Sequence, residues 1–96
     1  MNGKLHDGQL NELFEEILKL RTADECRRFF LDLCTVGELR AMAQRLQVAR
    51  MLWDGRVYSD IVQETGASSA TISRVNRSLG GELGGYSLVF KREAKD

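Results

Sequence analysis

Seven polar side chains in one short stretch carry the chemistry of this sequence: Ser68, Ser69, Thr71, Ser73, Arg74, Asn76 and Arg77. Hydroxyl and amide groups donate and accept hydrogen bonds at base edges, and arginine forks grip phosphate or a guanine edge. Between Gly66 and Leu79 there are two arginines and no acid, whereas a merely solvated helix face favours Glu and Lys. Ser68 is placed to cap a helix, whose free amides and positive dipole end would offer a further site for phosphate. In that arrangement Arg77 reaches phosphate, and Arg74 either phosphate or a guanine edge.

Such groups act together only if the chain holds them on one face. Two short helical segments, Ser59–Thr65 and Ser68–Leu79, flank Gly66-Ala67. The first is expected to bury Ile61 and Val62. Gly66 suits the positive φ that a tight turn requires. In the second, Ala70 is expected where two helices cross closely, with Ile72, Val75 and Leu79 following on the apolar side at helical spacing. The opposite face is then free to enter a major groove, as in a helix-turn-helix. An ordinary helical hairpin with a solvated polar face is the alternative reading of the same pattern.

Upstream, Gln9–Arg21 carries Leu10, Leu13, Phe14, Ile17 and Leu18 on one helical face. Thr22-Ala23-Asp24 interrupts it with capping residues, and Asp24–Cys34 repeats the pattern with Cys26, Phe29, Phe30, Leu33 and Cys34. Thr35-Val36-Gly37-Glu38 reads as a capping box. The helix it opens should run to Trp53 and end at Asp54-Gly55. Its apolar stripe (Leu39, Met42, Ala43, Leu46, Ala49, Trp53) is widened by Val48, Met51 and Leu52, which suits a central helix covered by a second chain. From Gly80 the chain is glycine-rich and is expected to be flexible or irregular, with a short ordered stretch at Tyr86–Phe90.

The bulk properties set limits. The chain of 96 residues is expected to be a single all-α domain (1–96), with dimerisation helices over 9–53, a helix-turn-helix over 59–79 and a tail over 80–96. A core this small is commonly enlarged by dimerisation. Formal net charge is zero, but residues 1–34 sum to −2 and residues 35–96 to +2, and Leu39–Trp53 holds three arginines and no acid. No signal peptide and no stretch near the ~20 apolar residues of a membrane span is visible, so a cytoplasmic, non-membrane protein is expected. Cys26 and Cys34 would lie about 12 Å apart along a helix, too far for a disulfide between them, and read as buried free thiols. One histidine, His6, and two such cysteines make no metal site, and no nucleophile–base or carboxylate pair suggests an enzyme. No catalytic residue and no required cofactor is assigned.

Beyond these patterns, the chain resembles the tryptophan repressor family from Leu33 to Leu79. The likeness is carried by Leu33-Cys34-Thr35, by Glu38, Ala41, Arg45, Leu52 and Gly55, and above all by Gly66-Ala67-Ser68-Ser69-Ala70-Thr71-Ile72-Ser73-Arg74 with Asn76 to Leu79. Gly84-Gly85-Tyr86 makes it more similar to the repressor-related YerC/YecD-type subgroup than to the repressor proper. The resemblance implies an intertwined all-helical homodimer. Its N-terminal helices would wrap around the partner chain, and its two recognition helices would enter successive major grooves about one helical turn apart. It also implies an effector pocket in which L-tryptophan lies between two arginines, aligned with Arg45 and Arg74, near a threonine aligned with Thr35. Here Val75 stands where the family has a small glycine, filling space an indole would need, and the segment before Gly66 is one residue shorter.

The sequence therefore points to a DNA-binding transcriptional regulator, a dimeric repressor on a palindromic operator in double-stranded DNA. Two other readings stay open. One is an amino-acid-sensing regulator of the tryptophan type. The other, favoured by the zero net charge, is a protein-interaction module whose helix-turn-helix does not bind DNA.

Overall fold

The computed structural model describes residues 7–93. Among them there are six α-helices and no strand: α1 (Asp7–Ile17), α2 (Ala23–Leu33), α3 (Val36–Trp53), α4 (Tyr58–Thr65), α5 (Ser69–Leu79) and α6 (Gly85–Glu93). The all-α expectation is met. The chain divides into two compact units, one ending at Leu39 and the other beginning at Arg40. His6 lies outside the described residues.

In the N-terminal unit, α1 stops at Ile17 rather than Arg21. The Lys19 and Leu20 amides turn to the Glu16 and Ile17 carbonyls, three residues back, which tightens and ends the helix. Thr22 then caps α2: its hydroxyl accepts from the Glu25 amide at 3.1 Å, and the Glu25 carboxylate accepts from the Arg21 amide at 2.8 Å. Thr35 caps α3 as its spacing predicts. The Thr35 hydroxyl accepts from the Glu38 amide at 3.0 Å, and the Thr35 amide donates to the Glu38 carboxylate at 2.8 Å. These bonds to Thr35, the backbone one foremost, hold the Glu38 pKa below its ordinary value. Neither α1 nor α2 has a buried residue. Cys26 and Cys34 are accordingly free but only half-buried, not the buried thiols expected, and Cys34 is the extended residue that ends α2.

The second unit holds the core. Val48, Ala49 and Met51 of α3, Ile61 of α4, Ala67 of the turn, Ile72 and Val75 of α5 and Phe90 of α6 form one buried cluster, with Leu52, Leu79 and Tyr86 packed on its edge. Each large side chain in it contributes roughly 1.5–3 kcal/mol on leaving water. Three expectations are corrected here. Ile61 is buried but Val62 is 45% exposed, since adjacent helical residues point about 100° apart and cannot both face one core. Ala70 is exposed, and the small buried residue is Ala67 in the turn. Finally, the tail is not simply irregular: after Gly84, at φ +67°, the chain forms α6, which packs against α5.

What fastens α6 is an aromatic cluster. Phe90 is 2% exposed, with Trp53 at 5.5 Å edge-on and Tyr86 at 6.0 Å nearly parallel between ring centroids. The Arg50 guanidinium lies 4.3 Å from the Phe90 centroid and binds the Glu93 carboxylate through both of its oxygens, so one arginine covers the ring and ties down the end of the helix. That bond to Arg50 is the main cause holding the Glu93 pKa below its ordinary value.

Candidate nucleic-acid interface

The turn between α4 and α5 is built as the sequence predicts. Gly66 ends α4 in the left-handed region, at φ +71°, and its amide bonds to the Val62 carbonyl. Ser68 caps α5, its hydroxyl accepting from the Thr71 amide at 3.1 Å. The same Ser68 hydroxyl donates to the Thr71 hydroxyl, also at 3.1 Å. Two residues that the sequence did not single out complete the turn. The Thr65 hydroxyl donates to the Ile61 carbonyl and accepts from the Ala67 amide, at 2.7 and 3.0 Å. The Gln44 amide group on α3 donates to the Thr65 carbonyl at 3.1 Å, binding the turn to the core helix.

A further clasp holds α4. Arg56, in the loop after α3, pairs with Glu64 and lies 3.7 Å from the Asp60 carboxylate. Asp60 and Glu64 are one turn apart on α4, so Arg56 spans that helix edge and offsets its negative charge. The ion pair with Glu64 is the main cause that raises the Arg56 pKa. The spacing of 56, 60 and 64 at four-residue steps was the available sequence signal for this clasp. Gln44 and Arg50 gave none, because their partners lie far along the chain.

The predicted polar residues of α5 divide by depth. Ser68, Ser69, Arg74, Asn76 and Arg77 are exposed, while Thr71 and Ser73 are half-buried. They lie around a helix whose other side buries Ile72 and Val75. Among the described residues neither Arg74 nor Arg77 forms an ion pair, and no acid lies on α5. Both guanidiniums are thus available to an external anion.

The residues aligned with an effector pocket lie at the start of α3 (Thr35), on α3 (Arg45) and on α5 (Arg74). Val75 is 2% exposed and belongs to the same cluster as Val48, one helical turn beyond Arg45. The Thr35 hydroxyl and amide are engaged in the capping box. An open groove lined by Leu20, Glu25, Arg28, Phe29 and Asp32 belongs to the N-terminal unit and includes none of these residues. Among the described residues no three His, Cys, Asp or Glu groups are clustered as for a metal, and no helix is long and apolar enough to cross a membrane.

The family model for the Trp repressor protein matches residues 8–94. The chain belongs to the Trp repressor family. Its similarity to the uncharacterized protein YerC of Bacillus subtilis (strain 168) is 51% identity over 89 residues, covering 93% of this chain and 86% of that one. Two crystal structures share the fold at a TM-score of 0.88. One is a candidate Trp repressor from Staphylococcus aureus, 47% identical, covering 95% of this chain and 91% of its own. The other is a TrpR-like protein from Eubacterium eligens ATCC 27750, 49% identical, covering 97% and 96%. Membership of the Trp repressor family suggests a DNA-binding regulator.

Proposed function

We propose that this protein is a sequence-specific transcriptional repressor that binds a near-palindromic operator as a homodimer, with α5 as the recognition helix. The observation that carries the reading is the outward face of α5. It offers hydroxyls at Ser69 and Ser73, the Asn76 amide and two unpaired arginines, with no acid, behind a turn braced by the Ser68 cap. The short groups lie toward the N-terminal end, where base edges are met, and Arg77 lies a further turn along, where phosphate is met.

The homodimer is supported by the N-terminal unit. Phe14 is 52% exposed and Leu18 80%, and Leu31 and Leu33 on α2 are also exposed. Exposed apolar side chains on both helices mark an interaction surface, and a second copy of the same two helices supplies apolar groups to cover them. Two half-buried free thiols suit a reducing compartment, in keeping with action in the cytoplasm.

The buried Val75 favours binding that does not wait for an amino acid between Arg45 and Arg74. Selection of bound sequences from random double-stranded DNA tests the whole reading. It should yield two half-sites related by a two-fold axis and spaced by about one helical turn. Recovery of no enriched sequence at low salt would contradict it and favour a protein-interaction role.

A further inference from the structure

We propose that Ala70 selects thymine within each half-site, an inference that rests on the DNA-binding reading above. Sequence periodicity assigns Ala70 to the packed side of α5, yet it is exposed while Ile72 and Val75 are buried. Helical residues turn by about 100° each, so Ala70, Arg74 and Arg77 fall on one stripe and Ile72, Val75 and Leu79 on the opposite one. All three members of the first stripe are exposed. Ala70 is its foremost member, the second residue of α5 and two residues beyond the Ser68 cap.

The first turn of a recognition helix meets base edges. Around Ala70 the polar groups of that turn are partly committed. The Ser68 hydroxyl is bonded to the amide and hydroxyl of Thr71, and Thr71 is itself half-buried. What faces outward at the centre is a methyl group. In the major groove thymine presents a C5 methyl, whereas the other bases present donors and acceptors. Against those polar edges the Ala70 methyl displaces water without replacing its hydrogen bond. Against thymine it buries one methyl on another. The side chain is a single carbon, so contact at about 4 Å draws the backbone close to the bases. Ser69 and Ser73, which flank the stripe, are short enough to allow that approach.

The test uses the full-length protein and a duplex it has selected from random DNA. Each thymine of a half-site is replaced in turn by uracil, which removes only the methyl. One position should weaken binding by about fourfold per half-site, the effect of one lost buried methyl. Ala70→Gly should bind the thymine and uracil duplexes equally. If that variant melts early, Ala70→Ser, which keeps the Cβ and adds a hydroxyl, should likewise lower the thymine preference. Equal affinity for uracil at every position overturns the inference, as does a uracil effect that persists undiminished in the variants. A protein that selects no DNA overturns the DNA-binding reading itself, so the two failures are distinct.

Discussion

The Gln44 side chain on α3 donates to the Thr65 main-chain carbonyl at 3.1 Å, across 21 residues of sequence. This bond fixes the last turn of α4 against the core helix just where the chain reverses toward α5. The orientation of α5 therefore depends on a residue outside the helix-turn-helix. Gln44→Ala leaves the Thr65 carbonyl without its partner in a half-buried place and should destabilise the fold by about 1 kcal/mol. Urea unfolding at fixed protein concentration checks this, and the variant should also bind DNA more weakly than its stability loss alone explains.

Gly66 sits at φ +71°, with open space where a Cβ would go. The cost of Gly66→Ala is therefore backbone strain alone, about 1–2 kcal/mol. Gly66→Asn should lose less, because asparagine tolerates this region better. Equal losses for the two variants in denaturant unfolding would show that the strain argument is wrong.

Phe90 joins α6 to the core through Trp53, Tyr86 and Arg50. Phe90→Ala should cost about 3–5 kcal/mol, a large part of the stability of a chain this size. Calorimetry should show a lowered Tm. Loss of helical signal at room temperature would mean that α6 is a condition of folding.

Glu38 and Glu93 are both held below the ordinary carboxylate pKa, by bonds from Thr35 and Arg50 respectively. In the unfolded chain each returns to about 4.3. Their stabilising effect is complete above that value and fades as pH falls through the lower, folded-state pKa values. The double variant Glu38→Gln with Glu93→Gln should flatten the acid limb of the stability–pH curve. Urea midpoints measured between about pH 2 and pH 6 decide it, and an unchanged limb would contradict the assignment.

Local signals made much of this protein legible in its sequence. The Thr35–Glu38 box, the Gly66 turn and the Ser68 cap depend on residues within four positions of each other, and all form as their spacing predicts. Tertiary partnerships were not legible. Gln44, Arg50 and Phe90 meet residues of other helices, and no local period records such pairs. In α4 and α5 periodicity identified the helices but misplaced Val62 and Ala70, because small or adjacent apolar residues leave the angular limits of a face undefined. The glycines before α6 masked a helix whose signal lay in Tyr86, Val89 and Phe90, at i, i+3 and i+4.

Binding of the purified protein to its selected duplex, measured over a series of salt concentrations, tests the central claim most directly. For the parent protein, the logarithm of the affinity should fall linearly with the logarithm of salt as neutralised phosphates release counterions. Removal of Arg77 should reduce the steepness by about 2, since each phosphate-contacting arginine occurs twice in a dimer. Removal of Arg74 should do the same if it contacts phosphate, or instead relax preference for one guanine. A parent protein with no salt-dependent affinity for DNA, or an Arg74→Ala/Arg77→Ala variant with unchanged slope and unchanged sequence preference, would contradict the assignment of α5 as the DNA-reading helix.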